Sequence, residues 1–179
     1  MEKVQKQVHH KEKREHLKEK GEKEEVNKFY DVDLPYGEAG EKVVLEIIQK
    51  KYPKAYKMEG NFKEYDIKIP ETEETVEVKR DKQTDISGNA FIETYYNHNK
   101  SGINATTADY WIYVTKGYLY VLKASDIKLC IEHNSFFITE RGHIIDGIEV
   151  DAYLVPMSYL HPYCISIKKL TEEQLCQLN

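Results

Sequence analysis

The sequence predicts an α/β domain, a mixed β-sheet flanked by helices, with a charged N-terminal arm in front of it. Three observations carry this: a helical apolar stripe between residues 38 and 51, two short runs of strict period-two alternation at 65–69 and 75–79, and a segment of Lys and Glu at 1–28 with almost no aliphatic residues. The chain has 179 residues, enough for one core of ordinary size plus an appendage. We therefore divide it into an arm, 1–28, and a domain, 29–179.

The arm holds nine basic and seven acidic side chains, and only Val4, Val8, Leu17 and Val26 are aliphatic. Charge pairs four apart favour a solvated helix or a frayed segment, because so thin an apolar stripe has nothing to pack. In the domain, Val43, Val44, Ile47 and Ile48 recur at helical spacing, and Tyr52-Pro53 ends that run. Tyr65 to Ile69 and Thr75 to Lys79 alternate apolar and polar residues around Pro70 to Glu74, which reads as a β-hairpin. Further strands are expected at Ala90 to Tyr95, at Tyr110 to Thr115 in a central position, and at Tyr118 to Leu122 after the Gly117 turn. Residues 100–109 begin as a turn and can close as a short helix. A helix near Ser125 to Glu132 precedes strand-like pieces at Phe136 to Thr139, Ile144 to Val150 and Tyr153 to Val155.

Composition excludes several functions. The longest apolar run falls well short of the roughly 18 residues of a membrane span. The N-terminal segment lacks the apolar stretch of a secretory signal, so a cytoplasmic setting is expected. Cys130, Cys164 and Cys176 form no CxxC pair and read as reduced thiols. His161-Pro162-Tyr163-Cys164 lacks a second ligand pair for zinc. The formal charge is −5 overall, and the domain alone carries 17 basic against 24 acidic residues. That balance argues against a broad basic surface that coats nucleic acid, so any such contact must lie in a local groove.

Hairpin parity yields the chemistry. Side chains two apart share a face, so Glu77 and Lys79 lie together, and pairing Pro70 with Thr75 puts Asp66 opposite Lys79 on that face. Ile67, Ile69, Val76 and Val78 then turn to the core. Two carboxylates and an ammonium at one end of a hairpin suit metal-assisted phosphodiester hydrolysis: hard oxygens hold Mg²⁺, and the lysine orients a water or steadies charge on phosphorus. The same spacing also describes an exposed strand whose charges pair across the hairpin, and spacing alone does not decide between them.

The segment from Tyr36 to Thr115, less than half the chain, resembles the PD-(D/E)XK nuclease superfamily. The residues that carry the likeness are Gly37-Glu38-Ala39-Gly40-Glu41 on the first helix, Tyr65-Asp66-Ile67 and Glu77-Val78-Lys79. A tyrosine stands where the family motif often has proline. A second block, Ser87-Gly88-Asn89-Ala90-Phe91-Ile92-Glu93, Lys100-Ser101-Gly102-Ile103 and Ala108-Asp109-Tyr110-Trp111, is similar to phage-encoded members, and the superfamily also includes junction resolvases. The resemblance implies a restriction-endonuclease-like fold and a Mg²⁺-dependent deoxyribonuclease, with Mn²⁺ as substitute ion, in a bacterial or phage-infected cell. It implies that Asp66 and Glu77 bind the metal with the Val78 main-chain carbonyl, that Lys79 assists the attacking water, and that Glu41, or in second place Glu38, supports them. Glu93 falls on the next strand, either as a further ligand or partner of the site or as a solvent-facing carboxylate. Gln83, Asn89, Lys100 and Ser101 offer donors for phosphate oxygens. Tyr95 and Tyr96 are placed to stack on bases or to pack a sheet face. DNA is the expected partner, and concerted cutting of two strands would call for a homodimer. The alternative is the same fold with an idle site, binding nucleic acid or protein without hydrolysis.

Overall fold

The computed structural model describes residues 34–59, 64–134, 136, 144–145 and 148–178. The charged arm lies outside them, as do residues 137–139 of the strand expected at Phe136 to Thr139. The chain divides into two units, 1–35 and 36–179, and the site belongs wholly to the second. Among the described residues no helix is long and apolar enough to cross a membrane.

Helix α1 (Leu34–Gln49) begins earlier than its apolar stripe, since Pro35 is tolerated in a first helical turn. Val43 and Val44 are buried and Ile47 and Ile48 partly so; fully burying one such side chain is worth roughly 1.5–3 kcal/mol. Six strands follow in one mixed sheet: β1 (Tyr56–Lys57), β2 (Ile67–Ile69), β3 (Glu74–Lys79), β6 (Tyr110–Val114), β7 (Tyr118–Lys123) and β10 (Ser166–Lys169), in that spatial order. The β3–β6 pair is parallel and the others antiparallel. The strand after β3 is not its neighbour, however. β4 (Asn89–Tyr96) enters a second, antiparallel sheet in the order β5-β4-β9-β8, with β5 (Asn99–Lys100), β8 (Ile144–Ile145) and β9 (Ile148–Pro156). The two pieces expected at 144–150 and 153–155 thus become a short strand and a long one that absorbs the rest.

Alternation sorts the core into two layers. Val76, Val78, Ile112 and Val114 face α1 together with Ile67 and Ile69. Trp111, Tyr113 and Leu122 point the other way, toward Ala90, Ile92 and Val155 of the second sheet and Ile127 and Cys130 of α3 (Ala124–His133). Glu77 and Lys79 share the parity of this second face. Short elements complete the frame: α2 (Lys82–Ser87), a 3-10 turn (Gly102–Asn104), α4 (Met157–Leu160), a 3-10 turn (His161–Tyr163) and α5 (Glu172–Gln177). α2 falls between the strands expected at 75–79 and 90–95, in a stretch to which the sequence assigned no element. Asp81 accepts from the Gln83 N–H at 2.9 Å at its start, and Gly88, with φ 72°, closes its end in the left-handed conformation.

Two contacts fix the strand ends that matter. Asp109 Oδ2 accepts from the Thr75 N–H at 2.9 Å and from the Thr75 hydroxyl at 3.0 Å, pinning the entry of β3 to that of β6. Beyond β3, Arg80 stacks 3.5 Å from the Tyr36 ring centroid and donates to the Tyr36 carbonyl at 2.9 Å and to the Leu178 carbonyl. Gly40 makes room for it: a Cβ there would lie 3.0 Å from Arg80 Cβ and Cδ. Glycine inside a helix costs about 1 kcal/mol relative to alanine, and here it permits that close crossing.

Candidate active site

The β2–β3 register differs from expectation by two residues. Ile67 pairs with Val76 and Ile69 with Glu74, so the line of pairing carried one step on puts Asp66 beside Glu77, not Lys79. The turn explains it. Glu73 takes a left-handed φ of 62° and the Thr72 N–H returns to the Ile69 carbonyl at 3.3 Å, so the turn takes in Pro70 itself, which has no N–H for a ladder. A shift of two keeps the faces, and the predicted trio meets.

Asp66 sits one residue before β2. Its N–H donates to the Val76 carbonyl at 2.9 Å, and its Oδ2 accepts from the Val78 N–H at 2.6 Å, replacing the next ladder rung. Val76 and Val78 therefore turn their backbone groups toward β2. Because pairing with β2 ends at Val76, the Val78 carbonyl on that side lies beyond the last rung. Glu77 is buried, and its Oε1 accepts from Lys79 Nζ. Lys79 also lies 5.2 Å from the Trp111 ring centroid, a cation–π contact with the residue paired to Glu77 across β6.

The electrostatics show one cation too few. Burial, then the charge of Glu77, push the Asp66 carboxyl up to about 7; the Val78 N–H and Lys79 oppose this and Glu41 adds to it. Burial works against the Lys79 ammonium, but Glu77, with Asp66 and Glu93 behind it, holds its pKa above the ordinary lysine value. In the metal-free protein the two carboxylates therefore favour the charged, donating form of Lys79. A buried pair of carboxylates with excess negative charge and hard oxygen atoms fits a divalent cation. Among the described residues no three His, Cys, Asp or Glu side chains gather as a ligand set. A cation here would rest on Asp66, Glu77 and the Val78 carbonyl, with water and substrate oxygens completing its shell.

These residues lie in a cleft of about 700 Å³. Opposite Asp66, Glu77 and Lys79 stands β4 with its hairpin. Glu93 lines the cleft and accepts from the Ser101 hydroxyl, and Lys100, Ser101 and Gly102 line it too. Gly102 is required there: its φ is +48°, and a Cβ would fall 2.2 Å from the Glu93 carbonyl oxygen. A β-bulge at Thr94 resets the alternation of β4, so Glu93 and Tyr96, three apart, both reach the cleft, while Tyr95 does not line it. Asn97 and His98, with φ of 48° and 64°, then form the two-residue primed turn that leads into β5.

The remaining expected residues lie further out. Glu41 pairs with Lys57 Nζ at 2.7 Å, and Glu38 with the same ammonium at 3.5 Å; both stand outside the cleft lining, Glu38 half exposed. Lys57 gave no sequence signal, because the two-residue strand that carries it is too short to show alternation. Gln83, exposed on α2, and Asn89, at the start of β4, also lie off the lining. Asp81, Phe91 and Tyr113 line it without having been singled out. No family model matches the chain, and no curated protein matches it.

Proposed function

We propose that the protein is a metal-dependent DNA nuclease that hydrolyses phosphodiester bonds in the cleft between its two sheets, on a restriction-endonuclease-like core. The observation that carries this reading is the convergence of Asp66, Glu77 and Lys79 from two strands at one buried corner. The α1–β1–β2–β3 order and the parallel β3–β6 pair support the fold assignment. The lack of family matches leaves the PD-(D/E)XK likeness resting on the motif residues.

In this reading Asp66 and Glu77 bind Mg²⁺, with Mn²⁺ as substitute. The bound cation would supply acidified water and screening of charge at phosphorus. Asp66 is held in orientation by the Val78 amide, and Glu77 steadies Lys79. Lys79 donates to the attacking water or to a phosphate oxygen. Lys100, across the cleft, steadies the backbone of the DNA, while the Ser101 hydroxyl is engaged by Glu93.

Cleavage is tested on single-stranded, duplex, flapped and four-way DNA and on one RNA, with and without Mg²⁺. Asp66→Ala and Lys79→Ala should each abolish Mg²⁺-dependent cutting and leave the circular dichroism spectrum unchanged. Cutting by either variant at the wild-type rate would refute the assignment. Saturable DNA binding without any cleavage would instead favour the idle-site reading.

A further inference from the structure

We infer that the cleft takes an unpaired DNA strand, with a base stacked on Tyr96, and rejects an intact duplex; this rests on the nuclease reading and names its substrate. The carboxylate of Glu77 is recessed, and the 38% exposed side chain of Lys79 reaches the cleft beside it. Glu77 keeps only 11% of its side-chain surface, and the cleft above it is walled by the six-stranded sheet on one side and the β4–β5 hairpin on the other. A space of about 700 Å³ has the size of a small-ligand pocket, a few hundred to a thousand cubic ångströms. It admits a nucleotide or two. A duplex exposes its phosphates on a rigid rim, and its bases are committed to the opposite strand and cannot turn into such a space.

Charge leads to the same conclusion. In the metal-free cleft four carboxylates and three cations form the lining, so phosphate attraction there supplies little affinity. Something else must hold the strand. Tyr96 is 42% exposed on the cleft side of β4, brought there by the Thr94 bulge, and next to Asn97, Asn99 and Lys100 it combines a free aromatic face with amide and ammonium donors. This is the pairing of stacking platform and backbone contacts that grips single strands, and only an unpaired base can turn onto it.

The test measures binding and cleavage by the full chain. Binding to a fluorescein-labelled oligo-dT strand, to the same strand with abasic sites, and to a blunt hairpin duplex is followed by anisotropy in EDTA, where hydrolysis plays no part. The oligo-dT strand should bind at least about 10-fold more tightly than the duplex, and Tyr96→Ala should weaken it by about 5- to 150-fold, the effect of losing one stacked base. Tyr96→Phe should bind as wild type, and the abasic strand should be insensitive to Tyr96→Ala. Duplex binding equal to the single strand, or an unchanged affinity in Tyr96→Ala, would overturn the inference. With Mg²⁺, duplex cut faster than single strand in a Lys79-dependent way would overturn it while leaving the nuclease reading intact. Tyr96-dependent strand binding with no cleavage would sustain the inference and remove the nuclease.

Discussion

Replacing Asp66 by Asn removes one charge from the buried pair and keeps an oxygen to accept the Val78 N–H. In the folded protein without metal the Asp66 carboxyl titrates at about 7, against 3.8 as its ordinary value. A folded-state pKa raised above the unfolded one means the native state holds its proton longer. The stability tied to that proton is complete below the unfolded value and is lost as pH rises through about 7. Three units at about 1.4 kcal/mol each set a ceiling near 4 kcal/mol, so roughly 2–4 kcal/mol is expected. Asp66→Asn should therefore stabilise the metal-free protein by that amount at pH 8 and by little at pH 4. Urea unfolding at half-unit pH steps in EDTA measures the difference. Added Mg²⁺ should stabilise wild type by about 2.7 kcal/mol at a hundred times its Kd, and the variant far less. A variant no more stable than wild type at pH 8, or a difference flat with pH, would refute the reasoning that the pair carries uncompensated charge.

Three structural predictions follow from single contacts. Gly102→Ala forces a Cβ against the Glu93 carbonyl at a left-handed φ and should cost at least about 2 kcal/mol in urea unfolding. Asp109→Ala leaves the buried Thr75 N–H and hydroxyl without their acceptor and should cost about 1–2 kcal/mol, while Asp109→Asn recovers most of it. Arg80→Lys gives up the planar stack on Tyr36 and one of the two carbonyl contacts, and should lower the thermal midpoint by several degrees, reflecting about 1–3 kcal/mol.

The meeting of these three side chains was legible because period-two alternation survives an error of two residues. Asp66, Glu77 and Lys79 share a face in either register, although the turn itself, Pro70 to Glu74, offers more than one way to close. The same alternation is silent on which sheet a strand joins, so β4 reads alike beside β3 or in the second sheet where it lies. Gln83 and Asn89 read as phosphate donors on side-chain type alone, which does not say where they point; α2, whose cap Asp81 takes the Gln83 backbone N–H, is too short for a periodic signal, and both residues lie off the cleft lining. Lys57, which holds Glu41 and Glu38, depends on two residues of strand placed by β2.

The Thr94 bulge bears on how related sequences ought to be matched to this one. A homologue with an unbroken strand would need its aromatic two places after the acid to fill the same spot, whereas here the interval is three. An alignment that forbids a gap inside this strand would set Tyr95 against the cleft-facing aromatic of such a homologue and score two aromatics as matched, although in this chain it is Tyr96 that faces the cleft. The motif to search for is Glu-Thr-x-Tyr followed by a left-handed pair, a spacing that only the inserted backbone unit explains.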